Sequence, residues 1–461
     1  MFSRYFIETL VRGQFSILGT VPFVFLFLAG CATTNPVLQP QINSLIAADM
    51  FDEAVNVLNT KIQSYGPKNE LLYLMDKAYV LHITRHYQES IDLFEKAQRK
   101  FDELYTKSLR NIAATWIIND NVAPYRGEDF EHVLVNIFQA LNYAAIGNLP
   151  EALVEARDVD LKLNKINDLY KAGQKNVYRE DAFARLLMGI LYEATDNQQD
   201  LNDAFISYKK ALEIYERDYR QNYKMSVPIV LIENLLAAAE YFDEQAFQDY
   251  RKSFPNVPFV RLKEKKQKAE IYLIQYNGLA PIKHPAIIPI PLPGTVTQLA
   301  FPTYDTRYYE ISSSTFQAVG TAQKESKNQT ELGQDIEAIA RQSLANRKMR
   351  IYAKAVARPA AKYLAERKII SKTKEHHGDI AAIAVSGLSI WYNLYSEQAD
   401  LRSWQTLPAQ IRIARLIVEP GDYELSLNNF NAENIRIDEN NLGKVNLKAG
   451  EKKFIIIRTV R

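Results

Sequence analysis

Ser90, Phe94 and Ala97 stand four and then three residues apart, and Ala204, Tyr208 and Ala211 repeat that spacing. On a helix of about 3.6 residues per turn, such a small–aromatic–small set lies along one face. Small side chains there let a neighbouring helix approach closely while the aromatic fills the remaining space. The segments before them carry matching small residues, Ala78 in the first case and Gly189 with Tyr192 in the second. A third copy runs from Ala140 and Tyr143 through the turn Gly147-Asn148-Leu149-Pro150 to Ala152 and Ala156, and a weaker first copy is Phe51-Asp52-Glu53-Ala54 with Leu58. Residues 42 to about 250 are therefore expected to be paired amphipathic helices, each pair burying a stripe it cannot bury alone. An irregular helical bundle with alanine-rich contacts is the alternative, and both readings put helices here.

These positions resemble the tetratricopeptide repeat, which implies an α-solenoid of stacked helix pairs. Ala54, Ser90, Ala152 and Ala204 are 36, 62 and 52 residues apart, against a repeat period of about 34. Insertions at 111–127 and 162–179 are expected to interrupt the stack.

Around residues 263–268 the pattern changes to period two. Glu270-Ile271-Tyr272-Leu273-Ile274-Gln275-Tyr276 reads as a strand followed by an Asn277-Gly278 turn. Residues 281–302 hold six of the eighteen prolines. Proline lacks the N–H a central strand must donate, so this stretch is expected at an edge or in an extended loop. Short strands are also expected at 296–300 and 308–311. A helical insertion over 331–396 follows, with one helix from Leu332 to Lys368 interrupted at Pro359 and a second over 380–395. Strands resume after Pro408 and read as a small antiparallel sandwich or barrel. The fold class is α+β: an N-terminal helical repeat region over 42–262, then a β-rich region over 263–461 with inserted helices.

Residues 1–30 have a short cationic start (Arg4 and Arg12 against Glu8), an apolar run over 15–28, and Leu28-Ala29-Gly30 before Cys31, the only cysteine. This arrangement reads as an export signal. It resembles the bacterial lipobox, which implies cleavage between Gly30 and Cys31 and lipidation of Cys31. An uncleaved N-terminal anchor is the alternative, but the run is shorter than the roughly 20 residues a spanning helix needs. Acyl chains would then provide the membrane attachment, with residues 31–41 as a tether. Ala32 occupies the position where an inner-membrane retention signal would place Asp, so in a diderm source the resemblance implies the outer membrane, facing the periplasm.

The formal charge of +2 falls to +1 without residues 1–30, which argues against nucleic acid as a partner. A single cysteine excludes an intrachain disulfide and zinc–thiolate chemistry. His82 and His86 are four apart, but Ile83-Thr84-Arg85 lacks the glutamate of an HExxH site, and helix-end solvation is the simpler reading. Neither this pair nor Glu375-His376-His377-Gly378 is taken as a metal site. No GxSxG elbow, phosphate loop or dinucleotide fingerprint occurs, so no cofactor and no enzyme activity are expected. The basic residues from Arg341 to Arg367 are read as a solvated face balanced by Glu331, Asp335, Glu337 and Glu366.

Candidate interaction residues are Tyr125, Arg126, Arg402 and Trp404. Tyr125 and Arg126 lie in Pro124-Tyr125-Arg126-Gly127-Glu128-Asp129, a loop for recognition or for filling space. Arg402 and Trp404 are types favoured at interaction hot spots. Their other reading, the favoured one, is a plug between regions in which Trp404 buries its ring and Asp400 pairs with a basic neighbour.

Together the lipobox, Tyr125-Arg126-Gly127 with Glu131, Ala140-Leu141-Asn142-Tyr143, Glu155-Ala156-Arg157, Gly278-Leu279-Ala280-Pro281 and Arg402-Ser403-Trp404-Gln405-Thr406-Leu407-Pro408 resemble a bacterial lipoprotein family of unknown function with tetratricopeptide-like repeats. The resemblance implies architecture and location and carries over no catalytic residue. The expectation is a lipid-anchored envelope scaffold whose concave helical surface grips a membrane-proximal protein. The alternative is a peptidoglycan- or polysaccharide-binding lipoprotein, with Tyr304, Tyr308 and Tyr309 as sugar-stacking candidates.

Overall fold

The computed structural model describes residues 38–110, 123–168, 177–292, 295–321, 324–347, 375 and 399–461. Cys31, Gly30 and residues 348–374 and 376–398, which hold Pro359 and the whole of the expected second helix over 380–395, lie outside them. Helices α1 (Leu38–Ala47), α2 (Phe51–Thr60), α3 (Glu70–Ile83), α4 (Tyr87–Arg110), α5 (Asp129–Ala145), α6 (Leu149–Asp168), α7 (Ala182–Ala194), α8 (Gln198–Ile214), α9 (Ile229–Phe242) and α10 (Glu244–Ser253) follow one another. Each packs against the helix before and the helix after it, the connectivity of a repeat array. The first described helix, Leu38–Ala47, has Leu38 and Gln39 buried, so the array extends into the stretch expected to be tether. The expected insertion at 162–179 begins inside α6, which runs unbroken to Asp168.

The small–aromatic–small positions make the close approaches. Ser90, Ala97, Ala152, Ala204 and Ala211 are buried, and a Cβ on Gly189 of α7 would overlap the ring of Tyr208 of α8. Local chemistry sets the boundaries. Glu128 and Glu131 form a capping box at the start of α5, and Asp181 caps α7 by accepting the Ala184 N–H. Gly147, at φ 80°, turns the chain between α5 and α6.

Strands β1 (Ala269–Asn277), β2 (Ile282–Leu292), β3 (Thr295–Asp305), β4 (Ser313–Gly320), β5 (Glu325–Gln329), β6 (Glu331–Asp335), β7 (Gln410–Val418), β8 (Gly421–Phe430), β9 (Arg436–Leu447) and β10 (Lys452–Thr459) follow. They form a central sheet in the order β10-β1-β7-β6, an outer sheet in the order β5-β4-β8-β9, and the separate ribbon β2-β3. Several sequence expectations need correction. Residues 331–335 are strand, not the start of a helix, because β6 pairs antiparallel with β7; helix occupies 336–347. The sheets are not purely antiparallel, since β1 and β10 run parallel. The expected turn at Gly278 is present, at φ 64°, and it leads away from the sheet in which β1 lies between β10 and β7. Residues 308–311 form no strand, whereas the expected strand at 296–300 lies inside β3.

Period two in β1 serves two cores. Tyr272, Ile274 and Tyr276 join Tyr79, Phe94, Phe138 and Trp404 in one core with the helices. Ala269, Ile271 and Leu273 pack instead with Phe316, Ala318, Leu425 and Leu427 of the outer sheet. The result is three layers: helical array, central sheet, outer sheet. Every residue of β1 is buried, because both faces of the central sheet are covered.

Candidate functional site

The alternate helices α3, α5, α7 and α9 all reach the central sheet: α3 and α5 contact β10, α7 contacts β6, and α9 contacts β7. Phe138 of α5 and Tyr276 of β1 meet edge to face at 5.4 Å, and Tyr79 of α3 lies 5.9 Å from the same ring. His82 of α3 is fully buried, with Nε2 2.8 Å from the Tyr276 hydroxyl and Nδ1 2.5 Å from Asn142 Oδ1. Burial lowers its pKa to about 4, so it is a neutral crosslink between layers, and helix-end solvation describes only the exposed His86. The face of the array expected to grip a partner is thus occupied by the chain's own sheet.

Two polar clusters lock this contact. The first surrounds residues 399–409, which thread between the start of the array and the sheet. Asp400 and Arg402 form a two-pronged ion pair, Nε–Oδ1 2.8 Å and Nη2–Oδ2 2.7 Å. Arg402 also donates to the Ala123 carbonyl at 3.0 Å and sits over the Tyr125 ring at 5.4 Å. Its own carbonyl accepts from Lys283 Nζ at 2.9 Å, and Lys283 also pairs with Glu128 at 2.6 Å. Trp404 is 1% exposed; its ring lies 5.8 Å from Phe138, and its backbone N–H donates to Glu131 Oε1 at 2.8 Å. The Tyr125 hydroxyl donates to Glu131 Oε2 at 2.7 Å. Asp76 of α3 accepts from Gln39 (2.6 Å), Tyr65 (2.8 Å) and Thr406 (2.7 Å).

Burial pushes the carboxyls of Asp76 and Glu131 up to about 7, against the pull of the groups donating to them. Burial also opposes the charge on Glu128, but Arg347 and Lys283 outweigh it and hold that carboxyl at about 2. The structure thus brings Tyr125, Arg402 and Trp404 into one buried junction, where they bond to their own chain and Trp404 presents no surface to a partner. Arg126 is apart from them: its side chain is exposed, and its carbonyl lies 2.8 Å from His132 Nε2.

The second cluster lies between α7, α9 and the sheet. Lys265 Nζ is 2.8 Å from Glu193 Oε1, and Lys452 Nζ is 2.9 Å from the same oxygen and also pairs with Glu270. Arg415 pairs with Glu270 at 3.3 Å and with Glu233 at 2.5 Å. Burial disfavours charge on Glu270, yet Lys265, Lys452 and Arg415 together hold its carboxyl well below the usual range. Asn234 accepts from Lys265 at 2.9 Å and also from Arg415. Sequence reasoning passed over this cluster. Its only signal was the interruption of apolar runs by single charges, as at Glu270 in β1 and Arg415 in β7.

Neither cluster offers an open nucleophile–base pair, and no group of three metal-ligating side chains occurs among the described residues. No described helix is long and apolar enough to cross a membrane. Of the three tyrosines considered for sugars, Tyr308 is 91% exposed, Tyr309 is partly buried against Gly278, and the Tyr304 hydroxyl is buried.

No family model matches the sequence, and no curated protein matches it. Among solved structures, the chain is similar to a Podosopora anserina protein described as a kinesin light chain with nearly identical tetratricopeptide-like repeats, at 15% identity over 48% of this chain and 93% of that one, with a TM-score of 0.31. A point variant of that protein matches at 14% identity over 48% and 92% of the two chains, with the same TM-score.

Proposed function

We propose that this chain is a lipid-anchored envelope lipoprotein that works as a non-catalytic scaffold, and that it meets its protein partner through the outer helices of the array. The observation that supports this reading is the covered inner row. With α3, α5, α7 and α9 against the sheet, exposed aliphatic side chains within the body of the array's helices are Val154 and Leu161, two turns apart on α6, and Ile206 on α8, at 45%, 67% and 53% exposure; Ile146 and Ile229, also exposed, lie only at the ends of α5 and α9. Acyl chains at Cys31, a few residues before α1, would keep this surface near the bilayer, facing the periplasm of a diderm cell. A membrane-proximal envelope protein is the partner such placement suits. The buried acids and bases fit the same role, because they spend their hydrogen bonds on neighbouring layers.

A photocrosslinking residue at Leu161 or Ile206, used in intact cells and followed by mass spectrometry, tests the reading. One envelope protein captured at both positions, and lost when Cys31→Ala removes the lipid, is the expected result. Capture of glycan fragments in place of protein would replace the scaffold with the peptidoglycan or polysaccharide alternative.

A further inference from the structure

We infer that the β2–β3 ribbon is a lipid-inserting element, a contact with the bilayer separate from any acyl chain at Cys31. From Pro285 to Tyr304 the chain carries no charged side chain, and the stretch is bounded by Lys283 and His284 on one side and Asp305 on the other. The two halves pair with each other in continuous antiparallel register from Ile282↔Asp305 to Leu292↔Thr295, and among the described residues no other strand joins their sheet. Ile287 and Ile288 are adjacent, so their side chains leave opposite faces of the ribbon, and they are 55% and 48% exposed. A surface ribbon with one face on a core would bury the isoleucine on that face; here an exposed isoleucine leaves each face.

The backbone narrows the choice of medium. Pro285, Pro289 and Pro291 occupy alternate positions of β2, and Pro302 of β3 lies opposite Pro285. A ladder between the two strands forms only if these positions are the ones whose N–H would point outward. Three of the four outward positions at 285–291 on β2 therefore have no N–H to leave unsatisfied in lipid or to offer an added strand. That edge is a poor template for pairing with a second copy, which disfavours a barrel shared among chains. The register pairs from Pro285↔Pro302 to Leu292↔Thr295 extend about 23 Å at about 3.3 Å per residue, less than the roughly 30 Å hydrocarbon core. The ribbon is too short to span, and because the outward carbonyls of both strands and the outward N–H groups of Val296, Gln298 and Ala300 still need partners, it lies at the boundary between headgroups and acyl chains, where water and headgroups can supply them. At its base Lys283 is tied to Glu128 at 2.6 Å, which fixes the ribbon to the junction, and the exposed ring of Tyr308 follows it, a residue type favoured at the headgroup level.

The test uses the full-length protein reconstituted with phosphatidylethanolamine–phosphatidylglycerol vesicles that contain a diazirine-bearing phospholipid. After irradiation, adducts are mapped by mass spectrometry, and a mixture of isotopically light and heavy chains reports contacts between copies. Lipid adducts within 285–304 are expected, reduced at least tenfold in Ile287→Asp/Ile288→Asp. Both side chains lie outside the two cores, so this variant should keep the wild-type circular dichroism and thermal midpoint. A ribbon free of lipid adducts overturns the inference, whether it is then found crosslinked to a second copy or to nothing. The readout is also separate from the proposed anchor: ribbon adducts that persist in Cys31→Ala would support lipid insertion even if the lipoprotein reading failed.

Discussion

The two polar clusters that bind the helical array to its sheet solve one problem in opposite ways. At the 399–409 junction, Asp76 and Glu131 accept hydrogen bonds from neutral donors, and burial lifts both carboxyls to about 7. Between α7, α9 and the sheet, Glu193 and Glu270 are surrounded by Lys265, Lys452 and Arg415 and stay ionised. A raised carboxyl contributes stability that is complete below its unfolded value of about 4 and is lost as pH climbs towards 7. A depressed one contributes above about 4 and loses that contribution as pH falls. Asp76 and Glu131 therefore loosen the first cluster towards neutral pH, while the second loosens towards acid. The two clusters titrate in opposite directions, the first losing its contribution above about pH 4 and the second below it.

Removing one member of the ion cluster should do the most damage. Glu270→Ala leaves Lys452, Arg415 and Lys265 buried with too little counter-charge, and we expect a loss of about 3–5 kcal/mol in urea unfolding. A loss near zero would mean that the cluster contributes nothing to the joining of the layers. Trp404→Ala is expected to cost a similar ~3–5 kcal/mol through the cavity it opens between Phe94, Phe138 and Tyr79. For Asp76→Asn the informative quantity is a slope. Between pH 4 and 7 the wild type should lose stability relative to this variant by up to about 1.4 kcal/mol per pH unit, with the difference flat above 7; a parallel pair of curves would show that Asp76 is ionised throughout. Gly189→Ala pushes a methyl into the Tyr208 ring and should cost about 1–3 kcal/mol. Arg126→Ala, on the exposed side of the junction, should change stability by less than about 0.5 kcal/mol.

Parts of this arrangement are readable in the sequence, and the rest is hidden for physical reasons. Small–aromatic–small spacing located the helix contacts because it reports local packing between consecutive elements, and the Gly189–Tyr208 approach is its clearest case. The pairing of β1 with β10, as at Ile274↔Ile456, joins segments from opposite ends of the β-rich region and leaves no local trace. Residues 331–335 read as helix because Leu332 continues an apolar spacing into Ile336 and Ile339, while the β7 edge they complete, at Gln410–Ile413, lies far along the chain. At the junction, Asp400 with Arg402 and the ring of Trp404 were legible as a plug, since an ion pair two residues apart and a tryptophan beside it suffice to suggest one. Their partners Asp76 and Glu131 were not, because a buried carboxylate on an otherwise apolar helix face is defined by what threads past it.

Hydrogen exchange measured by mass spectrometry on the intact protein tests whether the inner row of the array is covered by the chain's own sheet. Helices α3, α5 and α7 are expected to exchange together with β1 as the slowest unit of the molecule, and Glu270→Ala to speed exchange on both sides of the contact. Slow exchange in the helices beside fast, independent exchange in β1 and β10 would contradict this expectation and return the inner face to an outside partner.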